Sequence, residues 1–184
     1  FLNKNNKLHR LSKSTALHST LIIEDFSSCN FVKKNSNFII KKGLKISKKN
    51  IVFENDYWKI SAGHDGYLQN FGVNYEREIE FYPEQKKFIG YDKLLRKNPK
   101  KNIKFDIRFH LDPNSRVMKT QDNKSILIEL DEEGWKFSCD NFHINIDNGL
   151  YFGNKNSYKE NQNIFISGIN NEKEQTIKWE ISKL

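Results

Sequence analysis

The stretch Ile103-Lys104-Phe105-Asp106-Ile107-Arg108-Phe109-His110-Leu111 decides the fold. Apolar and polar residues alternate without interruption, so Ile103, Phe105, Ile107 and Phe109 share one side of an extended chain. That period of two belongs to a half-buried β-strand; a helix would scatter the same residues around its axis. Working outward, Glu76 to Tyr82 alternates in the same way, with Arg77, Ile79 and Phe81 against Glu76, Glu78, Glu80 and Tyr82. Pro83-Glu84-Gln85-Lys86 then reads as a turn into a second strand, Lys87 to Leu95. Val117 to Thr120, Ser125 to Leu130 and Gly134 to Cys139 form a meander broken at Asp122-Asn123-Lys124 and Asp131-Glu132-Glu133-Gly134. Further strands fall at Thr20 to Phe26, Phe38 to Ile40, Ile51 to Phe53, Tyr57 to Ala62, Phe142 to Ile146, Leu150 to Phe152, Asn163 to Gly168 and Gln175 to Ser182. The only helical periodicity is weak, over Leu8 to Ala16, and Asn154 to Asn161 reads as an exposed loop. Roughly a dozen short strands at about 8–12-residue spacing predict an all-β, two-layer antiparallel β-sandwich.

Composition narrows the function. The 184 residues suffice for one domain with its own core, 1–184, and no apolar run nears the ~20 residues that span a bilayer. Residue 1 is Phe rather than Met, which suggests the later part of a longer protein. The net charge of +8 invites a nucleic-acid reading, but only five of the 31 basic residues are arginine, the residue whose fork matches phosphate. The lysines are scattered among acids, and the densest clusters, Lys41-Lys42 to Lys48-Lys49 and Arg96 to Lys104, fall in turn-like stretches. They read as solvated surface, in a field that also suits an anionic polysaccharide. Cys29 and Cys139 lack metal-type spacing and read as two unlinked thiols. No nucleophile-elbow or phosphate-loop signature is present.

Five motifs recur along this pattern: Ser14 to Leu21 (Ser-Thr-Ala-Leu-His-Ser-Thr-Leu), Gly63-His64-Asp65-Gly66-Tyr67, Arg108 to Pro113 (Arg-Phe-His-Leu-Asp-Pro), Glu133 to Phe137 and Gln175 to Trp179. In this order the set resembles the C-terminal β domain of the heparinase II/III-like polysaccharide lyases. The resemblance implies a β domain of super-sandwich type that follows an α-helical toroid, absent from this chain. It implies β-elimination at a uronic acid, an acidic polysaccharide or oligosaccharide as partner, and a cell-envelope or periplasmic location. A non-catalytic carbohydrate-binding or structural module is the alternative.

Individual residues follow from the motifs. The resemblance makes His18 one of three metal ligands, often for zinc, the other two being expected upstream; Asp25 is a further candidate by proximity. A histidine satisfied by a turn is the competing reading, since one side chain does not make a four-ligand zinc site. His64, flanked by glycines that permit a tight turn, is the catalytic candidate, with Tyr67 offered to substrate from the same turn; an orienting His-Asp turn is the alternative. Arg77 either binds a sugar carboxylate or forms a buried ion pair. Tyr75 and Glu76 stand where relatives carry a basic, histidine-rich segment. Alternation puts Arg108, His110 and Asp112 on one strand face, as a substrate-binding row or a structural network; relatives have histidine in place of Asp112. Trp135, Trp179 and Tyr151 could stack on sugars, although alternation favours core packing for both tryptophans.

Overall fold

The computed structural model describes residues 6–34, 37–153 and 157–184. A short helix α1 (Asn6–Leu11) and a 3-10 turn (Thr15–Leu17) precede β1 (Leu21–Ile23), β2 (Asn30–Lys34), β3 (Asn37–Lys42), β4 (Ile46–Phe53) and β5 (Trp58–Tyr67). After α2 (Leu68–Phe71) come β6 (Val73–Tyr82), β7 (Lys87–Arg96), β8 (Ile103–His110), β9 (Arg116–Lys119), β10 (Ser125–Leu130), β11 (Glu133–Ser138), β12 (His143–Tyr151), β13 (Lys159–Asn170) and β14 (Glu174–Lys183). A four-stranded sheet, β1-β8-β13-β12, packs on an eight-stranded sheet, β4-β5-β6-β7-β14-β11-β10-β9, and β2-β3 form a separate ribbon. The last strand, β14, is therefore central, antiparallel to β7 on one side and β11 on the other. No helix among the described residues is long and apolar enough to cross a membrane.

The alternation in β8 does what it predicts. Ile103, Phe105, Ile107 and Phe109 are buried between the sheets, whereas Lys104 is exposed. Phe109 meets Phe137 at 4.8 Å and Trp179 at 4.9 Å between ring centroids, so aromatic rings from both sheets interlock. Each fully buried Ile or Leu contributes about 1.5–3 kcal/mol of transfer free energy.

Tight turns follow the polar clusters: Lys86 (φ 45°), Asn123 (φ 58°), Asp131 (φ 50°) and Glu132 (φ 65°) all take left-handed backbone. The structure also corrects several sequence expectations. Asp147-Asn148-Gly149 looks like a break but continues a single strand β12, because Gly149 is needed where Asn161 approaches: a Cβ there would lie 2.8 Å from Asn161 Oδ1. The expected loop at 154–161 is replaced from Lys159 onward by β13, while 154–156 lie outside the described residues. The strand β2 has no counterpart in the sequence reading. Lys41 and Lys42 lie in β3 and Lys48 and Lys49 in β4, in strands rather than turns.

The four-stranded sheet covers only part of its larger partner. Cross-strand pairing puts Ile51, Ile60 and Ile79 on the core-facing side, yet Ile51 is 47% and Ile60 40% exposed at the β4 end.

Candidate functional site

The polar residues of β8 lie on the outer face of the four-stranded sheet. Register places Asp106, Arg108 and His110 beside Ser167, Phe165 and Asn163 of β13, and these beside His143, Asn145 and Asp147 of β12. Arg108 Nη1 donates to Asn163 Oδ1 (3.1 Å), and its guanidinium lies 5.1 Å from the Phe165 ring centroid. Asp106 and Asp147 each stand 3.6 Å from it. Asn163 Nδ2 donates to the Asp147 carbonyl and Asn161 Nδ2 to the Leu111 carbonyl.

His110 is fixed by the chain outside β8. Its Nε2–H donates to the Ala16 carbonyl (2.9 Å), which sets the tautomer and leaves Nδ1 with a lone pair; its backbone N–H donates to Ser19 Oγ (2.9 Å). Burial pushes the imidazole below its ordinary pKa; the Ala16 bond opposes this, and the Arg108 and His18 charges add to it. Among the described residues, four buried side-chain polar atoms lack a hydrogen-bond partner, and three of them, Arg108 Nε, His110 Nδ1 and Asn161 Oδ1, fall in this cluster. Such orphans are rare in folded proteins. The outer face thus holds one partly exposed cation, Arg108, already flanked by Asp106 and Asp147, while His110 Nδ1 is closed to solvent within the network. Asp112 leaves the row predicted for it: β8 ends at His110, and Asp112 Oδ1 caps a turn by accepting the Asn114 N–H at 2.8 Å.

His18 follows the 3-10 turn and is exposed, with Nε2 3.1 Å from the Ser12 carbonyl oxygen. Asp25 sits in the turn after β1 with φ 61°. No three His, Cys, Asp or Glu side chains among the described residues are grouped to hold a metal ion. The donors among the described residues therefore do not by themselves fit a zinc site.

Gly63 to Tyr67 forms the end of β5 with a register shift, not a free turn, and neither Gly63 nor Gly66 has positive φ. The glycines serve close approach: a Cβ on Gly63 would lie 2.8 Å from Ser47 Oγ, and one on Gly66 would lie 2.7 Å from the Ser28 carbonyl. His64 Nδ1 accepts the Gly66 N–H (3.2 Å), so Nε2 carries the proton, and burial lowers the imidazole pKa although Asp65 opposes this. Tyr67 is only 1% exposed; its hydroxyl donates to the Leu21 carbonyl at 2.7 Å, leaving no surface to meet a sugar. Arg77 forms the buried ion pair. Its Nε and Nη2 donate to Asp92 at 2.7 and 3.1 Å, and Nη1 donates to the Ser19 carbonyl at 2.6 Å. Burial works against this charge, yet Asp92 and Tyr75 outweigh it and raise the Arg77 pKa. Asp92, fully buried, also accepts from the Tyr75 hydroxyl and from Trp179 Nε1 (2.7 Å). Trp179 is thus core; Trp135 packs against the core, and Tyr151 is 37% exposed.

The motifs therefore meet on one segment. Tyr67, Arg77 and His110 send side-chain bonds to the main chain of Leu21, Ser19 and Ala16, and the Arg108 N–H donates to the Thr20 carbonyl. Sequence reasoning missed Asp92, Asn161 and Asn163. Their one signal is a polar residue at an inward or sheet-centre position of an otherwise regular strand.

The family described as "Heparinase II/III-like, C-terminal" matches residues 2–180. A heparan sulfate lyase, HepC, from Pedobacter heparinus has a similar structure, with a TM-score of 0.74 at 14% identity over 96% of this chain and 25% of its own. A heparinase III, the BT4657 gene product, gives 0.71 at 8% identity over 100% of this chain and 26% of its own. At these identities the likeness establishes the fold. The FtsZ-localized protein C of Caulobacter vibrioides (strain NA1000 / CB15N) is 26% identical over 129 residues, 65% of this chain and 22% of that protein. The chain thus spans about a quarter of the length of these relatives.

Proposed function

The chain belongs to the heparinase II/III-like C-terminal family, and from that premise we propose that it is the β domain of a polysaccharide lyase. It works with a helical domain on uronic-acid-containing polysaccharide by β-elimination. The observation that carries this reading is the family match over residues 2–180, beside which the partly exposed Arg108 guanidinium on the outer sheet face is the cation the domain offers. β-Elimination needs a cation against the C5 carboxylate, a base for the C5 proton and an acid for the departing O4. Arg108 suits the first role, because an arginine fork pairs with a carboxylate. His110, tied to Ala16 and Ser19, suits a positioning role that holds the β8 face in place. His64 lies on β5 of the other sheet with no described contact to Arg108 or His110, so the acid for O4 is assigned to the helical domain. His18 is offered as one metal ligand, completed by side chains outside 1–184. An envelope location follows from an extracellular polymer as substrate.

One observation favours a non-catalytic reading: the Caulobacter relative is named for its localization with FtsZ, not for a lyase activity. The test is a complete protein containing this domain, incubated with uronic-acid polysaccharides and followed by the absorbance of 4,5-unsaturated uronate. The complete protein should generate product, Arg108→Ala should reduce it strongly, and the 184-residue chain alone should generate none. A folded complete protein that yields no product on a panel of such polymers rejects the lyase reading in favour of the non-catalytic one.

A further inference from the structure

The charge of the molecule is not evenly spread. From Ser27 to Phe53 there are seven lysines and no acidic residue, against a net charge of +8 for the whole chain. This stretch is the β2-β3 ribbon and the edge strand β4. Lys33, Lys34, Lys41, Lys42, Lys45 and Lys49 are exposed, and none forms an ion pair among the described residues.

The same stretch exposes large apolar side chains: Ile39 (42%), Ile40 (56%), Ile46 (63%), Ile51 (47%) and Phe53 (77%). Phe26 (54%) and Ile60 (40%) flank it. An open cleft of ≈ 850 Å³ beside the ribbon is lined by Arg10, Phe26, Phe31, Phe38 and Lys41, among others.

Lysines on an edge strand ordinarily block sheet-to-sheet pairing, but that purpose is undone by exposed isoleucine and phenylalanine on the same strand. A polyanion such as nucleic acid or polysaccharide accounts for the lysines and leaves the aliphatic side chains without a purpose. A second copy of this face is opposed by its own charge. An anionic bilayer accounts for both, since its headgroups attract the lysines and its acyl boundary takes up the apolar side chains.

We propose that the β2-β3 ribbon and β4 form a docking surface for an anionic lipid bilayer. The surface binds peripherally, by charge and shallow apolar insertion, and it stands independently of the lyase reading.

The experiment is co-sedimentation of the chain with phosphatidylcholine vesicles, with and without phosphatidylglycerol, at low and raised salt. Binding should require the anionic lipid and weaken with salt. Each lysine removed should lower partitioning about five-fold, so Lys41→Gln/Lys42→Gln/Lys45→Gln should lower it by about a hundred-fold. Lys97→Gln/Lys100→Gln/Lys101→Gln removes equal charge from a loop elsewhere and should leave binding within a few-fold. Phe53→Ser, which keeps every charge, should also weaken it; this variant carries the test if the first triple fails to fold. Equal loss in both triples, no binding to anionic vesicles at low salt, or an unaffected Phe53→Ser overturns the proposal. Retention on a heparin resin without vesicle binding also overturns it and assigns the patch to a polyanion.

Discussion

Asp92→Asn tests the internal organisation most directly. The carboxylate is fully buried and accepts from Arg77 twice, from Trp179 and from Tyr75. Asparagine keeps the shape and one acceptor oxygen, removes the charge and turns an NH2 group toward donors. Breaking one side of a buried ion pair costs about 3–5 kcal/mol, because the remaining charge stays desolvated without its partner. A bond-by-bond estimate agrees. Two hydrogen bonds from a charged group, at roughly 1.5–3 kcal/mol each, are weakened or lost. Against a total stability of about 5–15 kcal/mol, that is a large fraction. Urea unfolding followed by tryptophan fluorescence measures it, and Trp179, bonded to Asp92, reports locally. Arg77→Met added to Asp92→Asn removes the stranded cation, so the double variant should be no less stable than Asp92→Asn alone. A loss below about 1 kcal/mol for Asp92→Asn, or full additivity of the two substitutions, would refute the claim that this pair is one coupled buried unit.

Other outcomes follow from the same geometry. Gly90→Ala places a Cβ about 2.0 Å from the Trp179 ring, so it should displace that ring, cost at least ~2 kcal/mol by thermal or urea unfolding, and alter the near-ultraviolet circular dichroism. His64 and His110 have imidazole pKa values held below 6.5 by burial. The unfolded chain therefore binds protons first as pH falls, and stability should be fully present above about pH 7 and decline through the ordinary imidazole range and below; His110→Gln should flatten that decline in unfolding curves taken at successive pH values. Cys29 is partly exposed, whereas Cys139 is 3% exposed with its thiol pKa raised by burial. A thiol reagent should therefore modify one cysteine in the native protein and two in denaturant, and a single slow-reacting population would contradict this.

Much of the architecture was legible because β-alternation is a local property. The buried side of β8, the turn at Lys86 and the β9-β10-β11 meander are all written in residues that touch one another along the chain. What escaped is set by contacts distant in sequence. Gly149 looks like a turn residue until Asn161 is placed across from it, and the Gly63 and Gly66 pair suggests a free loop until Ser47 and Ser28 are packed on it. The site divided likewise. Alternation located the Arg108–His110 row, and the ion-pair alternative for Arg77 named its chemistry. The partner Asp92 could not be singled out among the chain's acidic residues, because a carboxylate becomes informative only when its burial is known.

The central place of β14 has a consequence for how the protein is made. The eight-stranded sheet joins two groups of strands, β4 to β7 and β9 to β11, and the strand that joins them, Glu174–Lys183, is synthesised last. Until it arrives, β7 and β11 each present an unpaired edge, and Trp179 is missing from the aromatic contacts with Phe109 and Phe137. Such pairings carry high contact order and form slowly, and open edges are where nascent chains aggregate. Joining the two strand groups into one sheet therefore waits for β14. Deleting Glu174–Lys183 should leave two half-sheets in search of a partner rather than a slightly shortened sandwich.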